Sequence, residues 1–163
     1  MRLLFYASFV FNLLSAAVIY VLSPPRVVAH FDAVGKAGGW MPKETQTAYL
    51  IGMGVFVGIV FEFVHWLLHH KVSLVNVPNP AYWKKEENLP QLRKITAPFL
   101  WECGIYLMLF PCAIEWVSFR ANRLNPPHMG FERDGVLALF SAALVILLFR
   151  ILRAYRIPAQ EMP

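Results

Sequence analysis

Four long apolar segments separated by short polar stretches dominate the chain, at about residues 3–22, 48–69, 97–119 and 135–153. Each is long enough to cross roughly 30 Å of hydrocarbon as an α-helix, and none alternates as a barrel strand would. Helices are expected because backbone polar groups in lipid must be bonded within their own segment. The pattern predicts an all-α polytopic membrane protein, a single domain over residues 1–163 forming a four-transmembrane-helix bundle with structured loops.

Helix-breaking and capping residues mark the ends of these segments. Pro24 follows the first, and Pro42 precedes a charged turn that suits the start of the second. Thr96 and Asp134 are predicted to cap the third and fourth helices, because their side chains can accept hydrogen bonds from free backbone N–H groups. Pro111 lies inside the third segment, where a kink is expected.

Composition and charge agree with this class and add an orientation. Charged residues make up 15% of the chain, against about 25% in soluble domains. The basic residues flank the apolar segments, which is typical of membrane surfaces and not of a nucleic-acid interface. Nine of the fifteen Lys and Arg residues lie at the termini and between the second and third segments. Both termini are therefore predicted to be cytoplasmic.

The first segment is predicted to be a retained helix. It has an early Arg and small residues, as a signal peptide does, but its apolar run spans the 20 residues 3–22. That run exceeds an ordinary signal-peptide core of about 7–15 residues.

Residues 23–47, the first loop, contain the stretch VVAHFDAVGKAGGW. Its β-branched start favours extended backbone, and Asp32 with the following glycines favours a compact turn. Trp40 and Lys43 suit the membrane interface. The residues alone leave two interpretations open: a structured hairpin that joins two helices, or a segment that recognises a ligand.

The second loop, residues 71–96, contains NVPNPAYW at positions 76–83. This stretch cannot be regular helix, because its prolines lack backbone donors and its asparagines favour turns. Tyr82 and Trp83 suit an interfacial aromatic belt. The charged residues that follow are predicted to form a solvated loop at the headgroups, a short amphipathic piece on the inner surface, or a contact for a soluble partner.

Two motifs resemble those of the domain of unknown function 1648 family, which includes the SdpI-like bacterial membrane proteins. Both lie between apolar segments, in the order found in that family. The chain departs from the family pattern at Ala37 and Gly38, where many members have Pro-Asp, and at Pro42, where a small polar residue is usual. The residues that carry the resemblance, and are the candidate binding residues, are His30, Phe31, Gly35, Trp40 and Lys43 in the first loop, and Asn76, Pro78, Asn79, Tyr82 and Trp83 in the second.

The resemblance implies a location in the bacterial cytoplasmic (inner) membrane and a role in sensing, signalling or immunity. SdpI itself is a longer, six-helix protein that protects cells from a secreted toxin and holds a repressor at the membrane. By that likeness the first loop would bind an external peptide or envelope component. The second loop would contact a membrane or cytoplasmic protein, and the other partner is the lipid bilayer. No nucleic acid is implied.

Ionisable residues inside apolar segments suggest function by default. Glu62, His65 and His69 have spacings of three and four, which place them on one helical face. The two histidines could bind zinc or copper, with Glu62 or His30 as third ligand. A di-iron site would need a second Glu-x-x-His pair. The alternative is that the histidines bond to headgroups or to a neighbouring helix, so no cofactor is assigned.

Three carboxylates in the apolar segments need partners. Glu62 is expected to have an inward-facing partner or to be protonated and hydrogen-bonded. Glu102 is expected to pair with Lys94 or with a histidine of the second helix. A contact between Glu115 and Arg120 is possible, although a spacing of five residues is not ideal on a helix.

The chain contains no nucleophile–base set, phosphate-binding loop or dinucleotide fingerprint. The leading hypothesis is a non-enzymatic SdpI-like protein that binds, senses or confers immunity. Two alternatives stay open. One is an accessory structural subunit of a larger membrane complex. The other is a metal- or cofactor-binding membrane enzyme subunit that uses Glu62, His65 and His69.

Overall fold

The computed structural model describes residues 1–157. This part of the chain is helical apart from one β-hairpin, and two short 3-10 turns interrupt the second loop. In chain order the elements are α1 (Arg2–Leu22), β1 (Arg26–Phe31), β2 (Ala37–Pro42), α2 (Lys43–His70), a 3-10 turn (Val72–Leu74), α3 (Pro80–Trp83), a second 3-10 turn (Glu86–Asn88), α4 (Leu89–Ala121) and α5 (Phe131–Ala154).

The predicted all-helical architecture with four long apolar helices is confirmed. By length and composition α1, α2, α4 and α5 are each able to cross a membrane. Two of them begin earlier than their apolar segments: α2 at Lys43 instead of residue 48, and α4 at Leu89 instead of residue 97. The extra residues of α2 are polar and those of α4 mix polar and apolar side chains, so both are compatible with helix but do not extend the apolar runs.

Both predicted caps are wrong. Thr96 lies inside α4, where its hydroxyl donates to the Leu92 carbonyl at 2.7 Å. Asp134 lies in the first turn of α5, whose N-cap is Gly130. Carboxylates in a first helical turn still interact favourably with the helix dipole. Pro111 lies within α4 as predicted, and the helix continues to Ala121.

Helix α4 is the centre of the bundle and packs against α1, α2 and α5. Its core contacts join Trp101 and Met108 to Phe5 of α1 and Val57 of α2. Gly104 makes this packing possible, because a Cβ at that position would lie 2.6 Å from the Phe5 ring.

The contact between α1 and α2 is built from small and polar residues. The Asn12 side chain is 1% exposed and faces Gly54, where a Cβ would lie 2.9 Å from its Oδ1. On the same buried stripe of α1, Ser15 faces α4 instead and accepts a hydrogen bond from the Trp116 indole at 3.2 Å. Small residues let helix backbones approach closely, which is typical of helix pairs in lipid.

Helix α5 lies at the edge of the bundle, and Leu147 is its one buried residue. Two ion pairs tie it to α4, Arg150–Glu102 at 2.6 Å and Arg120–Glu132 at 3.3 Å. The rest of its surface is largely apolar and uncovered by the chain. Residues exposed in this way include Leu137, Leu139, Leu144, Val145, Ile146, Leu148, Phe149 and Leu152.

Candidate functional site

The first loop forms the hairpin that its sequence predicts. Strands β1 and β2 pair antiparallel, with Val28 opposite Trp40, and the register shifts around His30. Val27 and Val28 are buried at 1% and 2% exposure. Asp32 closes the turn, because its Oδ1 accepts hydrogen bonds from the backbone N–H groups of residues 34 and 36 at 3.0 and 2.8 Å.

Gly35 attaches this hairpin to the connection between α4 and α5. Its φ is +86°, a left-handed conformation that favours glycine. Its carbonyl accepts a hydrogen bond from the Met129 N–H at 2.9 Å. A Cβ on Gly35 would lie 2.0 Å from the Met129 carbonyl oxygen. The motif glycine is therefore required by both its backbone conformation and this close approach.

Two polar side chains from the C-terminal half complete the attachment. The Asn122 side-chain amide oxygen (Oδ1) accepts a hydrogen bond from the Val28 N–H at 2.6 Å. The Arg133 guanidinium donates to the carbonyls of Asp32 and Ala33 at 3.0 and 2.9 Å. Sequence reasoning missed both residues, because their partners lie about a hundred positions away.

The His30 ring lies over the backbone of β2. A Cβ on Gly38 would lie 2.4 Å from His30 Nε2, and one on Gly39 would lie 3.2 Å from Cε1. The absence of a side chain at Gly38 therefore leaves room for this ring. A side chain at Gly38 would displace the ring of the motif histidine.

Lys43 and Trp40 differ in their contacts: Lys43 binds to the end of α1, whereas Trp40 is largely exposed. The Lys43 ammonium donates to the Tyr20 carbonyl at 2.9 Å and lies 4.4 Å from the centre of the Tyr20 ring. It therefore satisfies the C-terminal end of α1, where cations are favourable. Trp40 remains 51% exposed.

A cleft of about 580 Å³ lies beneath the hairpin, between α2, α4 and α5. The motif residues His30 and Phe31 face it from the hairpin. Most of the remaining wall is apolar, and a few polar groups converge on it, which is the usual composition of a ligand site. These polar residues are Gln46, Tyr49, Glu115, Ser118 and Arg133.

Glu115 is the carboxylate of this cleft, and its predicted contact with Arg120 is wrong. Arg120 pairs with Glu132 instead. The Glu115 carboxylate accepts a hydrogen bond from the Gln46 side-chain amide at 2.6 Å. None of the ion pairs found within residues 1–157 involves Glu115. The cleft therefore holds a carboxylate whose one observed partner is a neutral amide.

The second loop closes the opposite end of the bundle. Asn79 adopts a left-handed conformation with φ 51°, which Asn tolerates better than most residues. Its side-chain amide and the Trp83 indole both donate to the Tyr155 carbonyl, at 3.1 and 3.0 Å. Asn76 and Pro78 are exposed beside them.

Trp83 and its neighbours form a hydrophobic cluster, called here the Trp83 cluster. The cluster corrects the predicted interfacial position of Trp83, whose side chain is 3% exposed and belongs to the core. Tyr82 packs against it, with ring centres 4.9 Å apart. The buried members are Val77, Trp83, Leu92 and Tyr155.

The Tyr155 hydroxyl bonds to Thr96 at this end. Thr96 already donates its proton to the Leu92 carbonyl, so the tyrosine must be the donor. Burial raises the pKa of the Tyr155 phenol above its ordinary value. The phenol is therefore neutral at physiological pH and can donate.

The predicted metal residues are only partly brought together. The His65 and His69 rings meet edge to face with centres 4.6 Å apart, and His65 packs on Trp101. Glu62 is engaged by the Arg2 guanidinium at 3.0 Å and by the Tyr6 hydroxyl. Over residues 1–157, no three His, Cys, Asp or Glu side chains are grouped so that they could hold a metal ion.

His30 cannot be the third ligand. It lies in the hairpin next to the first turn of α2, and His65 follows Lys43 by 22 residues along that helix, which is about 33 Å at 1.5 Å per residue. The partner predicted for Glu102 is also wrong: Glu102 pairs with Arg150 of α5 and not with Lys94 or a histidine.

No family model, curated protein or solved structure matches this chain. The SdpI-like resemblance therefore stays a prediction that rests on the two loop motifs.

Proposed function

We propose that α1, α2, α4 and α5 span a bacterial cytoplasmic membrane as a four-helix bundle, with both termini in the cytoplasm. The apolar surface that α5 leaves uncovered supports this, because lipid is the environment that suits it. The contact between the hairpin and Met129 supports an up-and-down order, in which both connections share one end. The excess of Lys and Arg at the other end supports an outside position for the hairpin.

Within that arrangement, the protein acts by binding and not by catalysis, and the cleft beneath the hairpin is its binding site. The observation that carries this proposal is that the motif residues His30 and Phe31 line the cleft together with Glu115 and Gln46. These groups can orient a ligand but supply no activated nucleophile. The ligand is an external peptide or an envelope component.

An SdpI-like sensing or immunity role fits this placement. An external ligand would act at the hairpin, and a cytoplasmic partner would meet the second loop at the opposite end. The exposed charges of that loop, at Lys85, Glu86, Glu87 and Lys94, are available for such a contact.

Cysteine labelling tests the orientation. In a background with Cys103 and Cys112 replaced by Ala, single cysteines are placed at Ala33 on the hairpin and at Lys85 in the second loop, both exposed positions. A membrane-impermeant maleimide should label A33C in intact cells and K85C only after lysis. The reverse pattern, or equal labelling in intact cells, would contradict the orientation.

Photo-crosslinking in living cells tests the binding site. A benzophenone amino acid at Tyr49, in the wall of the cleft, should capture a ligand of defined mass. The matched control is the same group at Phe149, which is uncovered on α5 and faces lipid in this arrangement. If both positions give the same adducts in the same proportions, the cleft is not a binding site.

A further inference from the structure

We propose that the ligand of the cleft is a single-chain amphiphile with a primary ammonium head, taken from the outer leaflet of the membrane. The head would bind at Glu115, and the chain would lie in a second groove between α4 and α5. This inference rests on the proposed function, since it names the chemistry of the ligand at the same site.

The cleft continues into a groove that is long enough for an alkyl chain. A second cavity of about 380 Å³ lies between α4 and α5. Phe110 and Leu137 line both cavities, so the two adjoin. The walls run along α5 from Arg133 to Leu144, which is about 16 Å at the rise of an α-helix.

The second cavity suits an apolar chain and opens sideways. Its wall is almost entirely apolar, with the side chains of Leu107, Phe110, Phe140 and Leu144 prominent. Leu107 and Leu144 are 50% and 59% exposed on the outer surface of the bundle. In a bilayer that surface meets lipid, so a chain could enter laterally without crossing water.

The cleft end offers hydrogen-bond acceptors for the head. Glu115 accepts one hydrogen bond, from the Gln46 amide N–H, and a carboxylate can accept several. The Arg133 guanidinium of the same cleft is directed to the carbonyls of Asp32 and Ala33 and to the Asp134 carboxylate. A ligand head that matches this arrangement brings donors and positive charge, and a primary ammonium has three donors.

The test uses the full chain in nanodiscs of phosphatidylcholine, which has no primary amine. A photoreactive dodecylamine is crosslinked to the protein, and dodecylammonium, dodecanol and dodecanoate are compared as competitors. Dodecylammonium should compete at least about tenfold better than the other two. The expected ratio corresponds to one charge-assisted hydrogen bond.

Two variants locate the head and the chain. Glu115→Gln should weaken competition by dodecylammonium about tenfold and remove the preference over dodecanol. The matched control, Glu44→Gln, changes an exposed carboxylate in the first turn of α2 and should have no effect. Leu144→Trp should fill the groove. It should weaken competition by dodecylammonium and leave competition by the short-chain butylammonium unchanged.

The outcomes separate this inference from the proposed function. Equal competition by the three probes, or wild-type behaviour of Glu115→Gln, would overturn the ammonium ligand. A peptide adduct at Tyr49 in the cell experiment would support the binding site and overturn the amphiphile. The absence of any adduct specific to Tyr49 would instead overturn the binding site itself.

Discussion

The two motif loops lie at opposite ends of the bundle and both attach to the C-terminal half of the chain, but they pack differently. The hairpin binds to Asn122, Met129 and Arg133 and spans an open cleft. The second loop packs Trp83 onto Tyr155 in a cluster whose members are at most 5% exposed. The first loop covers an open cleft, and the second packs into a buried hydrophobic cluster.

The difference lies in where the polar groups find their partners. At the closed end the Tyr155 carbonyl receives hydrogen bonds from both Asn79 and Trp83, and its hydroxyl donates to Thr96. At the hairpin end Glu115 has a neutral amide as its observed partner. A ligand can therefore add a favourable interaction at the hairpin end.

The largest effect is expected from Trp83→Ala at the closed end. Removal of this buried indole should lower the free energy of unfolding by about 3–5 kcal/mol, because a large cavity is left in the Trp83 cluster. The apparent melting temperature of the purified protein should fall, and protease cleavage in residues 71–88 should increase.

Trp40→Ala is the matched control at the hairpin end. Its indole is 51% exposed, and an exposed substitution usually changes stability by about 0.5 kcal/mol or less. If the two tryptophan variants melt at the same temperature, the proposed difference in packing between the two loops is wrong.

Gly35→Ala should produce the next largest effect and should be confined to the hairpin end. The left-handed φ costs alanine about 1 kcal/mol, and the contact with the Met129 carbonyl must be relieved by moving the hairpin, at about 1–3 kcal/mol. A cysteine at Met129, buried at 7% in the native protein, should become accessible to maleimide in this background.

Gly52→Ala provides the control for Gly35→Ala. Nothing lies within 4 Å of the added Cβ, and alanine favours helix over glycine by about 1 kcal/mol. Gly52→Ala should therefore leave the protein unchanged or slightly more stable. If maleimide labels Met129→Cys slowly in the Gly35→Ala protein as well as in the Gly52→Ala protein, Gly35 does not hold the hairpin in place.

Sequence patterns predicted those features of the fold that depend on local chemistry. The apolar runs located all four long helices, and extended and turn-forming residues indicated the hairpin. The start of α2 at Lys43 agrees with the prediction from Pro42 and the charged turn after it, whereas α4 begins at Leu89, well before the predicted start near Thr96. A threonine before an apolar run caps a helix only at a true helix start, and Thr96 lies inside α4.

The site could not be predicted to the same extent, because its contacts join distant positions. Gln46 and Glu115 meet across 69 residues, and Val28 meets Asn122 across 94. Local spacing suggested Arg120 for Glu115 and Lys94 for Glu102, but helix packing brought other partners closer. Trp83 was assigned to an interface by residue type, and the position of Tyr155 decided its burial.

The smallest effect is expected when His65, at the end of the bundle that holds the second loop, is replaced and the metal content of the protein is measured. His65 and His69 meet there, but Glu62 is held by Arg2 and Tyr6. A metal ion that used Glu62 would have to displace the guanidinium, and two imidazoles alone make an incomplete zinc site. Elemental analysis of the purified protein should give well under one equivalent of zinc or copper per chain, with no change on His65→Ala. A stoichiometric metal that is lost in His65→Ala would place a second site at this end and would end the assignment of function to the hairpin end alone.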